Sequence, residues 1–512
     1  MTLTHTLEGH HYSRSTGLEP GLASEGHIAH PQSIKRLGSF DLIVIGAGFA
    51  GLTAARDAAT SGLSVLLIEG RDRIGGRTWT ANRNGDLFEM GGTWIRWQQG
   101  YVWRELTRYG IEKDLKVTPT SEYPEKARYV AKLEGVEYDV DMAESEAILN
   151  RAFAAFCNFD QDGTAALPIP PSAFENVEGN PALIAKIDRM SVKERIDECL
   201  RLGTLDARDV AYLVPSMETN YGAKIEDCGV LDILRWVALS NVAPGDKMYT
   251  SLLESVLKYK IKKGTSHLAR RMFEEANSTG NLSYSFSTAV TGISDLGNRV
   301  EVVVEGGRTF KAAKVITTIP LNVLKTIKFS PPLSPLRREA LALGHVNVGL
   351  KVHLEVARPE FRAWSGGIKD TKNPSPLVTA FGDQILNSGN ASLVSFGAAN
   401  TYAEGPLAIP EKIPSWFGRF DSDLERHFVR AIFHEWGSDR FAQGTWAMAS
   451  PGFNSRFQHE LEQPSSKNVL WASADWAQGW KGFIDGAIEQ GTIAAYRVVS
   501  DLRRAAGAEV KL

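Results

Sequence analysis

Residues 41–56 read DLIVIGAGFAGLTAAR, an apolar run that breaks on three glycines and resumes at a different period. Before the break, DLIVIG has the unbroken apolar character of a buried strand, and after it AGLTAARDAATSG carries a helical pattern. The next apolar run, SVLLIEG, is a second strand, so strand, tight turn, helix and strand form one βαβ unit of a doubly wound sheet. Gly46, Gly48 and Gly51 stand as G-x-G-x-x-G at the junction. The first glycine permits the sharp turn, the second lets a pyrophosphate approach the backbone, and the third lets helix and strand pack closely. The helix N-terminus adds unpaired N–H groups and the positive end of a dipole. Glu69 ends the second strand at about the 20-residue spacing from which a carboxylate reaches ribose hydroxyls. The pattern predicts a dinucleotide site, and nicotinamide and flavin dinucleotides share it.

A second glycine loop follows. EGRDRIGGR sets Arg71, Arg73 and Arg77 around Gly75 and Gly76, offering guanidinium forks for a phosphate and glycines for close backbone passage. From about residue 116 to 260 helical patterns dominate, broken by the proline-rich ALPIPPSAF. Between Leu282 and Ile319 alternation returns as a three-stranded meander opened by NLSYSFSTAVTGI. HVNVGLKVHLEVA alternates again, NVLWASADW reads as a strand, and GFIDGAIEQG starts a closing helix. Nucleotide-type elements thus lie at both ends of the chain, and the expected domains are discontinuous: 39–115, 261–330 and 441–512 in one, 116–260 and 331–440 in the other. Residues 1–38 hold five of the eleven histidines and lack apolar periodicity, so a flexible N-terminal tail is expected there. His27 and His30 have no carboxylate or thiol close in sequence, and no metal site is expected.

Composition narrows the function classes. At 512 residues the chain exceeds what one core holds, and its formal net charge of −3 gives no general attraction to nucleic acid or to an anionic membrane. The stretch Leu42–Ala55 is too short to span a bilayer, and no secretory signal opens the chain, so a soluble protein is expected. Cys157, Cys199 and Cys228 form no CxxC pair and no even framework, which favours a reducing compartment.

With GGR at 75–77 and GGTW at 91–94 after the dinucleotide turn, the chain resembles the flavin-containing amine oxidases. The likeness continues at TTIPLNVL, VNVGLKVHLEV and WAQGWKGFIDGAIEQG, from about residue 40 to 500, and within the family it is greatest to the fungal monoamine oxidases. The resemblance implies an α/β fold in which a discontinuous Rossmann-type FAD-binding domain packs on an α+β substrate domain with mixed sheet and helices. It places FAD contacts on Gly46, Gly48, Gly51, Glu69, Arg71, Arg77, Gly91, Gly92, Thr93, Trp94, Val290, Trp436, Ala474, Asp475, Ile484 and Asp485. Asp485 opens the last helix, which would aim backbone N–H groups at the flavin pyrimidine oxygen, although a plain helix cap explains the residue equally well. From pattern alone, Lys351 in its alternating strand is a solvated side chain, whereas the resemblance makes it the lysine that holds a water against flavin N5. Trp446 and Phe483 are implied as the two aromatic walls of the amine site, with Asn347 lining the same cavity. Where the animal enzymes carry a flavin-binding cysteine this chain has Thr445, so noncovalent FAD is expected.

The implied activity is oxidation of an amine to an imine, then an aldehyde, with O2 reduced to hydrogen peroxide. A polyamine, an L-amino acid or a large natural-product amine stays open as substrate, and a non-catalytic flavin scaffold is the rival from another class. An amino acid oxidase would want an arginine in the pocket for the carboxylate, and pattern reading assigns none. No nucleic acid, membrane or metal partner is expected, and a homo-oligomer is left open. The ending Val510-Lys511-Leu512 is similar to the peroxisomal S-K-L type, so peroxisome and cytoplasm are both carried forward.

Overall fold

Strand Ser39–Ile45 lies inside a nine-stranded sheet, with every residue from Leu42 to Ile45 buried. Val65–Ile68 and Thr309–Thr317 flank it in parallel, and Leu282–Ser285 and Val469–Trp471 extend the parallel part. An unbroken apolar run is what a strand covered on both faces requires. Helix Phe49–Thr60 packs through Ala50, Gly51, Ala54 and Ala55 against this sheet and the closing helix Ile484–Ala505. The two helices meet so closely that a Cβ on Gly491 would stand 2.3 Å from the Ala50 carbonyl oxygen. The α/β class expected from the turn is the observed one.

The computed structural model describes residues 4–36, 38–118, 123–159, 181–242, 245, 247–398 and 404–507. The ALPIPPSAF loop and the Val510-Lys511-Leu512 ending lie outside them.

NLSYSFSTAVTGI is not one strand. Leu282–Ser285 pairs in parallel with Val65–Ile68, and the chain turns at Ser287, where φ is 50°, before Val290–Asp295 opens the antiparallel meander. Alternation runs straight through the turn, so periodicity alone hides it.

The second sheet has eleven strands, built largely from Gly349–Val356, Trp364–Lys369, Thr379–Ile385, Ala391–Ala398 and Phe428–His434. The flexible tail expected over residues 1–38 is corrected here. Thr4–Ser13 and Gly17–Ser24 form a hairpin within this sheet, between Phe428–His434 and Thr80–Arg83. Its polar side chains are held by partners remote in sequence: Glu8 by Arg71 and Arg73, and Thr6 by Asp72. His27 bonds Thr4 Oγ1 at 2.6 Å. Thr80–Arg83 and Asp86–Glu89, inside the 39–115 interval, also belong to this second sheet.

The helical reading of 116–260 needs a correction at its start, where Arg128–Leu133 and Val136–Asp141 pair as strands. Beyond them Met142–Cys157, Val192–Leu202, Ala207–Tyr221 and Leu231–Leu239 share one core. The first three are capped by the side chains of Asp141, Ser191 and Asp206. Cys157, Cys199 and Cys228 are buried free thiols of that core. Pro215 of Ala207–Tyr221 sits against the second sheet, only 2.8 Å from where a Cβ of Gly367 would stand. Among the described residues no helix is long and apolar enough to cross a membrane.

Candidate active site

A cavity of about 900 Å³ runs from the glycine turn, between the two sheets, to the helical layer. At its first end the backbone leaves room only for glycine. A Cβ on Gly51 would stand 1.8 Å from the Gly46 carbonyl oxygen, and one on Gly91 1.9 Å from that of Arg77. A Cβ on Gly76 would come within 3.1 Å of Gly48 Cα, so the two glycine loops meet backbone to backbone along the cavity wall. Gly48 is the N-cap of Phe49–Thr60 and has no side-chain cap, which leaves the first-turn N–H groups facing the cavity. This cradle fits a pyrophosphate approached by main chain rather than by side chains.

Arg71 and Arg77 line the cavity, whereas Arg73 does not. Arg71 is gripped bidentately by Asp439 at 2.7 and 2.8 Å and also pairs with Glu8. Arg73 is tied to Glu8 and to the Gly76 carbonyl. Arg77 reaches Asp475 at 2.6 Å and the Thr445 carbonyl at 2.5 Å. Their forks also brace loops, and the reason is electrostatic: guanidinium groups drawn out of water require acceptors, and the fold supplies carboxylates. Burial opposes the charge of Asp475, but Arg77 holds its carboxyl below the usual range.

Glu69 lines the cavity and accepts N–H bonds from Ala47 at 2.6 Å and Arg71 at 2.9 Å, so it also fixes the turn. Burial raises its pKa. Each carboxylate oxygen keeps acceptor capacity for a ribose hydroxyl.

Gly91, Gly92, Thr93, Trp94, Val290, Trp436, Ala474 and Ile484 all line the cavity. Trp436 is fixed by donating to the Met90 carbonyl at 2.9 Å. Gly51, Asp475, Asp485 and Asn347 do not reach the lining. Asp485 accepts from Val102 N at 2.8 Å, near the start of helix Gly100–Tyr109, rather than capping its own helix. Burial pushes its carboxyl up to about 7. Asn347, expected on the amine pocket, is wholly buried behind it, accepting from Thr445 Oγ1 and from Gly349 N at 2.9 Å. Its short side chain is committed to holding the two loops together.

Lys351 points inward. Its strand is buried at every position, and Nζ donates to the Gly91 carbonyl at 3.0 Å and to Thr93 Oγ1 at 2.7 Å. Two of three ammonium donors are therefore used, with the third left for another acceptor. Trp94 and Phe396 flank Nζ at 5.5 Å each. Burial, seconded by the charge of Lys260, pushes the ammonium down to about 7, while Glu89 and Asp383 oppose the shift. Lys260 pairs with Asp383, and Glu89 accepts from Thr265 N at 2.9 Å.

At the far end, Trp446 and Phe483 are half-buried cavity walls. Trp446 Nε1 donates to the Asn220 carbonyl at 2.8 Å, and its ring meets Phe396 edge-on at 6.5 Å. Phe483 is held edge-on by Trp236 at 5.1 Å and Trp480 at 5.4 Å. The neighbouring Gly482 lies so close that its Cβ would be 3.3 Å from Trp446 Cβ, which sets the two walls side by side.

Sequence reading missed Arg96, Tyr129, Trp236, Phe381 and Phe396, all in the lining. Phe381 and Phe396 sit in strands whose alternation marks an element but not which face meets the cavity.

The family model described as flavin containing amine oxidoreductase matches residues 49–499. Pseudooxynicotine dehydrogenase of Pseudomonas sp is 30% identical over 91% of this chain and 87% of its own. (S)-6-hydroxynicotine oxidase of Paenarthrobacter nicotinovorans is 27% identical over 90% and 99%. Wild-type putrescine oxidase bound to putrescine superposes with a TM-score of 0.69 at 20% identity, covering 90% of this chain and 99% of that one. The cyclohexylamine oxidase of Brevibacterium oxydans IH-35A does so with a TM-score of 0.67 at 19% identity, covering 91% and 100%. The sequence relatives named here are bacterial and do not show the nearness to fungal monoamine oxidases that the motifs suggested.

Proposed function

The chain belongs to the flavin-containing amine oxidoreductases, and from that premise we propose that it deaminates an amine oxidatively and passes the electrons to O2. The cofactor is FAD, which when bound would supply a two-electron acceptor for the equivalent of a hydride from the amine α-carbon and a route for those electrons to oxygen; the products would be an imine, hydrolysed by water to aldehyde and ammonia, and hydrogen peroxide. The observation that carries the proposal is one cavity with a glycine-only backbone cradle at one end, two aromatic walls at the other, and a buried lysine between them.

The N–H groups at Gly48–Ala50 receive the pyrophosphate, and Glu69 takes a ribose hydroxyl. Trp446 and Phe483 present π faces that align the amine and exclude water from it. Lys351 Nζ, its position fixed by Gly91 and Thr93, keeps one N–H for a water or for reduced oxygen and opposes negative charge growing there. In this reading residues 39–115, 261–330 and 441–512 serve mainly the cofactor and 116–260 and 331–440 the substrate. A cytoplasmic location suits the bacterial relatives, in which a peroxisomal ending has no use.

The test is hydrogen peroxide formed in step with amine consumed, across primary, secondary and bulky amines. Equal peroxide and aldehyde support oxygen as acceptor. Aldehyde without peroxide favours the second reading, a dehydrogenase with another acceptor, as the Pseudomonas pseudooxynicotine dehydrogenase is named.

FAD is held without a covalent bond. Thr445, at the position where the family resemblance places the animal enzymes' flavin-binding cysteine, lines the cavity, and none of the three cysteines reaches the lining. Acid precipitation is expected to leave the flavin in the supernatant; a yellow pellet would overturn this.

A further inference from the structure

Asp232 and Lys481 form a buried ion pair that the proposed chemistry does not use. They are 2% and 5% exposed, neither reaches the cavity lining, and Lys481 Nζ stands 2.6 Å from Asp232 Oδ1. Asn454 completes the group, accepting from Lys481 Nζ at 2.8 Å and donating to Asp232 Oδ1 at 3.3 Å. The other carboxylate oxygen, Oδ2, accepts the N–H of Ala449 at 2.6 Å. Taking two charges out of water costs about as much as their attraction returns, so stability alone is a poor reason for such a pair.

The pair sits behind the two aromatic walls. Ala449 is three residues after Trp446 and Lys481 two before Phe483, so one carboxylate holds both wall segments. Those segments touch directly: a Cβ on Gly482 would stand 3.1 Å from the Ala447 carbonyl oxygen and 3.3 Å from Trp446 Cβ. Asp232 belongs to helix Leu231–Leu239, and one turn further along it Trp236 meets the Phe483 ring edge-on at 5.1 Å. Between them Arg235 donates to the carbonyls of Ala477 at 2.9 Å and Gly479 at 3.1 Å. The helix thus grips the Phe483 segment through Asp232, Arg235 and Trp236, and of these Asp232 also takes hold of the Trp446 segment.

We propose that the Asp232–Lys481 pair sets the spacing of Trp446 and Phe483, and with it the alignment of the amine α-carbon for oxidation. This rests on the amine oxidase reading. Both are positioning residues, because they stand outside the cavity and act through its walls. Misplacing a reacting group by about 1 Å costs on the order of a hundredfold in rate, so a loosened wall shows in the amine step and not in the oxygen step.

The experiment measures the two half-reactions of the holoenzyme separately: anaerobic reduction by hexylamine, benzylamine or N-methylbenzylamine, and reoxidation by O2. Wild type, Lys481→Met, Lys481→Arg and the double variant Asp232→Asn with Lys481→Met are compared, each checked for bound flavin. Affinity for 2-phenylpropan-2-amine, which has no α-hydrogen and binds without reacting, is read from the shift it causes in flavin absorption. Lys481→Met should lower the limiting reduction rate on the order of a hundredfold and weaken binding of the unreactive amine, with flavin content and reoxidation as in the wild type. The double variant leaves no lone charge and keeps an acceptor for Ala449, yet it should be as slow, because the tether to the Phe483 segment is still gone. Lys481→Arg, which keeps the charge, should recover most of the rate. A double variant reduced as fast as the wild type overturns the inference, since only the lone charge would then have done harm. So does equal slowing of reduction and reoxidation with flavin bound, the mark of a merely structural pair. If Lys481→Met does not fold, the double variant decides. Failure of all three amines to reduce the wild type instead overturns the amine oxidase reading beneath it.

Discussion

Lys351→Met is expected to slow reoxidation of the reduced holoenzyme by O2 on the order of a hundredfold, the loss typical when one preorganised donor is removed from a water-excluded site. Reduction by amine under anaerobic conditions should fall far less, because the aromatic walls that align the amine are separate from this side chain. The effect is electrostatic. Nζ is clamped by Gly91 and Thr93, so it meets growing negative charge without reorganising. In the wild type the reoxidation rate should decline as pH rises through about 7, where the buried ammonium gives up its proton. The sign follows from burial, which disfavours the charged form, so the cation exists below that value and is lost above it. The variant should lack this step. A rate equal to wild type, with the same pH profile, would remove Lys351 from the account.

Gly51→Ala is the second large effect. A Cβ at Gly51 would stand 1.8 Å from the Gly46 carbonyl oxygen and 2.9 Å from its carbon, both backbone atoms that cannot rotate away. Helix Phe49–Thr60 would have to leave the turn and carry its N-terminus off the phosphates. Overpacking of this kind costs about 1–3 kcal/mol, occasionally more, and all of it falls on the cradle. The protein should purify largely without flavin, or with an FAD dissociation constant raised by about ten to a hundredfold. Gly100→Ala is the control, since nothing lies within 4 Å of its added Cβ. Full flavin content in Gly51→Ala would mean that the cradle is elsewhere.

The glycine turn was legible because its evidence is local: a change of period, three glycines at fixed spacing and Glu69 at the end of the next strand all lie within some thirty residues. The arginine loop was legible as a loop but not in its use, since the carboxylates that occupy Arg71, Glu8 and Asp439, come from opposite ends of the chain. The same remoteness hid the N-terminal hairpin, whose charged residues looked solvated until Arg71 and Arg73 closed on Glu8. Lys351 shows the limit most clearly. In an alternating strand a lysine signals the outer face, and only a strand buried at every position turns it inward. Arg96 carried no signal, because the rings of Trp236, Trp480 and Phe483 that enclose it are contributed from far along the sequence.

The central claim is that one cavity brings an amine, between Trp446 and Phe483, to bound FAD. Anaerobic titration of the yellow holoenzyme with primary, secondary and bulky amines tests it most directly. The account predicts that at least one of them bleaches the flavin, one equivalent per bound FAD, with recovery of the colour and release of peroxide when air is admitted. A flavin that stays yellow through an excess of every amine would contradict it and leave a flavin-binding scaffold.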